Sequence, residues 1–167
     1  MARASELLNS IGITSANRGG VIDLLNKILA DEFVLYTKTR KFHWNVISPS
    51  FSELHTFFGD QYDKLNTIVD DVAERIRALG GKSIGTTSEF SKISEISENP
   101  GNYPKDTEML KILLDDQETV IRSIREAADV ANSKFKDFGT NTFLGDLLIR
   151  HEKMAWMLRS FLENMGV

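Results

Sequence analysis

His43, His55, Asp70 and Glu74 are the residue types that suit a metal ion, and their spacing is informative. If residues 51–79 form one helix, His55 and Asp70 lie roughly 22 Å apart along its axis at ~1.5 Å per residue. A coordination sphere spans only a few Å. Either these residues are unrelated, or a second copy of the helix lies antiparallel across the first and completes the site. The second alternative predicts a two-fold dimer whose ligands are shared across its interface.

Asp70 and Glu74 are four residues apart, so they project from adjacent turns of one helix face, an arrangement that can support a hard cation. Such an acidic pair is also a common solvated face, with Arg75 and Arg77 nearby to offset its charge. His43 and His55 flank a short turn between two helices, which brings them to the same level of an antiparallel hairpin. Both can then touch one ion, or each is an ordinary histidine bonded to backbone or water. At ~100° per residue, His55, Asp70 and Glu74 fall within roughly 100° of one another around the helix. The midpoint between His55 and the acidic pair, near residue 63 or 64, almost coincides with the midpoint of the helix, residue 65. A two-fold axis there lays His55 of one copy over Asp70 and Glu74 of the other, twice. A site inside one bundle built from Glu-x-x-His motifs is not available, because Arg77 stands where Glu74 would need a histidine. His151-Glu152 has the wrong order and spacing.

The elements that must carry these residues are all helical. Residues 1–20 end in Asn17-Arg18-Gly19-Gly20 and read as a tail, with residues 21–167 as the folded unit. From Val21 the apolar positions Leu25, Ile28, Leu35 and Phe42 follow a helical repeat that stops at Ser48-Pro49. Ser50 and Glu53 have the spacing of a reciprocal cap for a second helix. That helix carries the stripe Phe51, Leu54, Phe58, Tyr62, Leu65, Val69, Val72, Ile76 and Leu79 and ends at Gly80-Gly81. Residues 82–105 form a long polar linker with one modest amphipathic piece around Phe90, Ile93 and Ile96. A third long helix is expected from Asp106 or Thr107 to about Phe135, a break at Gly139, and a fourth from about Thr140 or Asn141 to Glu163. Two helical hairpins joined by one long crossover carrying a short helix make an all-α, ferritin-like four-helix bundle.

At 167 residues and 41% hydrophobic content, the chain suffices for one domain with a buried core. Its net charge of -4 and pI near 5.4 argue against general nucleic-acid binding. With no cysteine, a metal must be held by His, Asp, Glu or backbone oxygen, which favours iron, manganese, magnesium or zinc. No signal-peptide pattern and no run of ~18 apolar residues is present, so a soluble, cytoplasmic protein without membrane contact is expected.

The segments Lys41-Phe42-His43-Trp44-Asn45-Val46, Phe51-x-x-Leu54-His55, Asp70-x-Val72-Ala73-Glu74-Arg75-Ile76 and His151-Glu152-Lys153-x-x-Trp156-Met157-Leu158 resemble the Dps family of miniferritins. The similarity covers about residues 21–165. It implies a hollow homo-dodecamer built from two-fold dimers, with ferroxidase sites that bind ferrous iron and oxidise it, preferentially with hydrogen peroxide, before ferric oxide is stored in the cavity. By that likeness His43 and His55 come from one subunit and Asp70 and Glu74 from its neighbour, with Glu74 bridging two irons. Trp44 is placed as a scavenger of oxidising equivalents or, equally, as a core or interface aromatic. Asp146 and Glu152 are candidates to line an acidic pore, with solvated surface charge as the alternative.

One position departs from the pattern. Many relatives carry an acidic residue four positions after the second histidine, where this chain has Gly59, with Asp60 pointing ~100° away. A weaker second iron position is therefore expected. The alternative function is a DNA-compacting or structural cage whose centre has decayed. A tail with Arg3 and Arg18 against Glu6 would neutralise few phosphates, so DNA binding is expected to be weak or absent.

Overall fold

Thr14 starts the first helix: its side chain accepts a hydrogen bond from the Asn17 backbone N–H at 3.2 Å. The structure is a computed structural model and describes residues 9–165. Its helices are α1 (Ser15–Asn45), α2 (Phe51–Ala78), α3 (Thr87–Ile93), α4 (Asp106–Ser133) and α5 (Phe138–Asn164), with no strand among the described residues. Helices α1 and α2 form one hairpin, α4 and α5 the other. Contacts of α1 with α4 and of α2 with α5 close the bundle, and α3 packs on α1. Among the described residues no helix is long and apolar enough to cross a membrane.

Helix α1 begins six residues before the expected Val21, so residues 15–20 are helix rather than tail. Of the two glycines read as a turn signal, Gly20 serves packing instead. A Cβ on Gly20 would collide with the Phe135 ring, two residues beyond α4. A helical glycine is ordinarily worse than alanine by ~1 kcal/mol, but overpacking costs about 1–3 kcal/mol. Gly20→Ala is therefore expected to lower stability, by about 1 kcal/mol net, in a denaturant titration; a more stable variant would show that the ring moves aside freely. Arg18 is also absorbed into the fold, donating from Nη1 to the carbonyls of Asn9 (2.9 Å) and Ile13 (3.0 Å). Arg3 and Glu6, the other charges of the expected tail, lie outside the described residues.

Most of the expected α2 stripe is core: Leu54, Phe58, Leu65, Val72, Ile76 and Leu79 are buried, Tyr62 and Val69 are half-buried, and Phe51 is 49% exposed because it opens the helix and its ring stacks on His55. Burial of such side chains contributes about 1.5–3 kcal/mol each. Gly80, at φ 83°, supplies the left-handed stop, with its N–H on the Arg77 carbonyl and that of Gly81 on the Ile76 carbonyl. Ser50 makes no side-chain cap; the turn is built by Ser48, whose Oγ accepts the Ser50 N–H at 3.1 Å. The reciprocal cap occurs instead on α3, between Thr86 and Glu89. Gly139 lies within α5, and the break falls at 134–137, where Asp137 caps Thr140.

The crossover is fastened to α1 at two points. Phe90 of α3 stacks on Phe33 with ring centroids 4.3 Å apart. Beyond α3, Asp31 accepts from the Ser94 hydroxyl (2.8 Å) and the Glu95 N–H (2.6 Å). Burial pushes the Asp31 carboxyl above the usual aspartate range, opposed by those two hydrogen bonds.

Candidate metal centre

The turn between α1 and α2 brings His43, in the last turn of α1, against His55, in the second turn of α2. Their rings stack with centroids 3.8 Å apart and 23° between planes. Each is held by the other's backbone: His43 Nδ1 lies 2.7 Å from the His55 carbonyl, and His55 Nδ1 lies 3.0 Å from the His43 carbonyl. A carbonyl oxygen only accepts, so both Nδ1 atoms carry hydrogen, and in the neutral form of each ring Nε2 keeps a lone pair. This backbone support for the tautomer is what metal-ligating imidazoles need. The Phe51 ring stacks on His55 (5.1 Å), and the Tyr62 ring meets His43 edge-on (5.1 Å).

Asp70 and Glu74 are exposed farther along α2. The arginines expected to offset them are engaged elsewhere. Arg75 donates from Nε to Thr140 (3.0 Å) and pairs with the buried Asp137 (3.3 Å), while Arg77 donates to the Gly81 carbonyl. Among the described residues neither Asp70 nor Glu74 makes an ion pair, and no three His, Asp, Glu or Cys side chains of one chain converge on a metal position. The structure thus brings the histidines together and leaves the acidic pair as a second, separate half.

This geometry sits on a fold shared with known proteins. The ferritin-like domain family matches residues 22–166. Over 145 residues the chain is 38% identical to DNA protection during starvation protein 2 of Bacillus anthracis, covering 86% of this chain and 97% of that protein. The chain belongs to the Dps family. It is also 42% identical over 158 residues to a low temperature-induced protein of Nostoc, covering 95% of this chain and 88% of the relative. The Dps protein of Vibrio cholerae O1, described as a member of a broad superfamily of ferritin-like diiron-carboxylate proteins, has a TM-score of 0.86 at 28% identity, covering 97% of this chain and 99% of that one. The expected ferritin-like bundle is therefore the fold.

Within this Dps fold, Gly59 faces the histidine pair. A Cβ there would lie 3.4 Å from His43 Cε1 and 3.5 Å from Nδ1, an ordinary contact. Any side chain at 59 would lean on the imidazole, whereas Asp60 is exposed. Trp44 is 65% exposed with the Arg40 guanidinium 5.1 Å from its ring, so it is not a core residue of the single chain. Trp156 is likewise exposed, at 58%. Asp146 pairs with Arg150 (2.9 Å) and Glu152 with Arg125 (2.8 Å), so each pore candidate already has a cation beside it.

Sequence reasoning passed over a buried polar set: Glu32, Gln61, Gln117 and His151. The signal was present, since each interrupts an apolar stripe at a position three or four residues from buried neighbours.

Proposed function

We propose that two copies pair their α2 helices antiparallel, and that His43 and His55 of one copy with Asp70 and Glu74 of the other bind ferrous iron and oxidise it to ferric iron. The observation that carries this is the reciprocal backbone support of the two imidazoles, which leaves both Nε2 lone pairs for a cation. Two further features favour it. The acidic pair has no cationic partner among the described residues. Trp44, Ile47 and Phe51, around the histidines, are 65%, 88% and 49% exposed, an apolar surface suited to a second copy.

In this reading the carboxylates favour the harder ferric state, and neutral imidazoles leave a lower charge for ferrous arrival. With hydrogen peroxide, two ferrous ions give up one electron each, the O–O bond breaks, and two protons are taken up to form two waters. Paired one-electron donors avoid release of hydroxyl radical. Membership of the Dps family supports assembly into a cytoplasmic homo-dodecamer that stores the ferric oxide, with weak DNA binding at most because Arg18 is tied to backbone carbonyls.

Anaerobic ferrous titration followed by peroxide, read as ferric absorbance, tests the reading. Rapid oxidation is expected in the unaltered protein and its loss in His43→Ala/Glu74→Ala; an unchanged rate in that variant would overturn it. The second reading, a cage with a decayed centre, is favoured by Gly59. It predicts slow oxidation in both proteins. If the missing acid limits the second iron position, Gly59→Asp should raise tight ferrous binding from about one to about two ions per site, since the contact with His43 leaves room for the side chain. Two equally tight ions before the substitution would refute that role of Gly59.

A further inference from the structure

Helices α2 and α5 belong to different hairpins and touch at two levels. Near the start of α2 the Phe57 and Phe161 rings lie 4.6 Å apart, and farther along it Asp71 pairs with Arg150 at 2.9 Å, so the two helices run antiparallel. Between these contacts they leave a cavity of about 290 Å³, lined by Lys64 and Thr67 of α2 and by Arg150, Lys153 and Met154 of α5. At ~100° per residue Lys64 projects roughly 80–180° from His55, Asp70 and Glu74, so the cavity lies to one side of the surface proposed to pair with a second copy.

The lining is apolar within and cationic at its rim. Met154 is 2% exposed, whereas Lys64, Thr67 and Lys153 are exposed and Arg150 is half-buried. Lysines cover apolar surface with their methylene stems and keep the ammonium in water. The Thr67 hydroxyl donates to the Asp63 carbonyl at 3.2 Å, so it is not a donor for a guest. The lysine heads are uncommitted: neither Lys64 nor Lys153 forms an ion pair among the described residues. Arg150, by contrast, is fixed through Nη1 by Asp71 and through Nε by Asp146, each at 2.9 Å. Three cations against two carboxylates leave a surplus of one positive charge at this cavity, in a chain whose net charge is -4.

We propose that the cavity binds a small monoanion with an apolar body, of the aromatic or short-chain carboxylate class. The body occupies the space against Met154 and the lysine stems, and the carboxylate accepts charge-assisted hydrogen bonds from Lys64 and Lys153. A surplus of one charge suits one carboxylate. A phosphate dianion is only half compensated there, and a divalent cation is repelled. The volume is just below the ~300–1,000 Å³ of typical small-molecule sites, enough for one ring or a short chain and too little for a nucleotide. The guest touches α2 of one hairpin and α5 of the other, so its binding favours the closed bundle.

The test uses the assembled protein, free of iron and carrying methyl-labelled methionine, titrated with benzoate and with benzamide, a neutral molecule of the same shape. Benzoate is expected to shift the Met154 methyl resonance to saturation with a Kd of about 1 mM, and benzamide to bind about 10-fold or more weakly. The resonance is assigned by its loss in Met154→Leu. In Lys64→Gln/Lys153→Gln the advantage of benzoate should vanish, its affinity falling about 10-fold while that for benzamide stays unchanged. Both lysines are exposed, so this variant keeps the fold. A Met154 resonance that benzoate does not move, equal affinities for the two probes in the unaltered protein, or unchanged benzoate binding in the double variant would overturn the site. Tighter binding of inorganic phosphate than of benzoate would overturn the carboxylate assignment. With no iron present, each of these outcomes is independent of the centre proposed above.

Discussion

A chain carrying His43→Ala and His55→Ala, reassembled with an equal amount of one carrying Asp70→Ala and Glu74→Ala, is expected to regain about one quarter of the unaltered rate of peroxide-dependent ferrous oxidation. Alone, each variant should fall by about 100-fold or more, because each lacks half of the ligands of every site. In a two-fold dimer, a mixed pair places both intact halves at one site and both altered halves at the other. Random pairing makes half of the dimers mixed, and each has one working site of two. The result separates shared from internal sites: if each chain supplied its own ligands, mixing would restore nothing. The separation of the histidine pair from Asp70 and Glu74 along α2 is the structural reason to expect recovery.

Asp116→Ala should cost about 3–5 kcal/mol of stability, a fall of about 10 °C in melting temperature at fixed protein concentration. Lys38 of α1 reaches Asp116 of α4 at 2.5 Å, with side-chain exposures of 3% and 15%. Removing the carboxylate leaves an enclosed ammonium without its partner. The comparison that isolates this cause is Lys38→Met/Asp116→Leu, in which both charges go and apolar volume remains. That double variant is expected to match or exceed the unaltered protein, since replacing a buried pair by packed apolar side chains is often neutral or stabilising. Equal losses in single and double variants would mean that packing, rather than an orphaned charge, sets the cost.

The two experiments address links of different kinds, and the sequence disclosed them unequally. The histidine and acidic pairs were readable because each is local: residues four apart share a helix face, and a short turn sets His43 against His55. Arg75 and Arg77 showed the limit of that reasoning. Their proximity in sequence suggested partners for Asp70 and Glu74, yet Arg75 reaches across to Asp137 and Thr140 on the other hairpin. Lys38–Asp116 and Glu32–His151 likewise join residues on different hairpins, which no periodicity pairs.

By itself the sequence determined the four long helices, the crossover and most of the core stripe of α2, because spacing by three and four and the stop at Gly80 are properties of neighbouring residues. Only the tertiary structure decided that Gly20 is helical, that the imidazoles exchange bonds with each other's carbonyls, and that a carboxylate and a histidine meet inside the bundle. Local preferences amount to about 1 kcal/mol per residue or less, whereas a ring collision or an enclosed unpaired charge costs several times that. Where the two conflict, contacts between distant segments set the outcome.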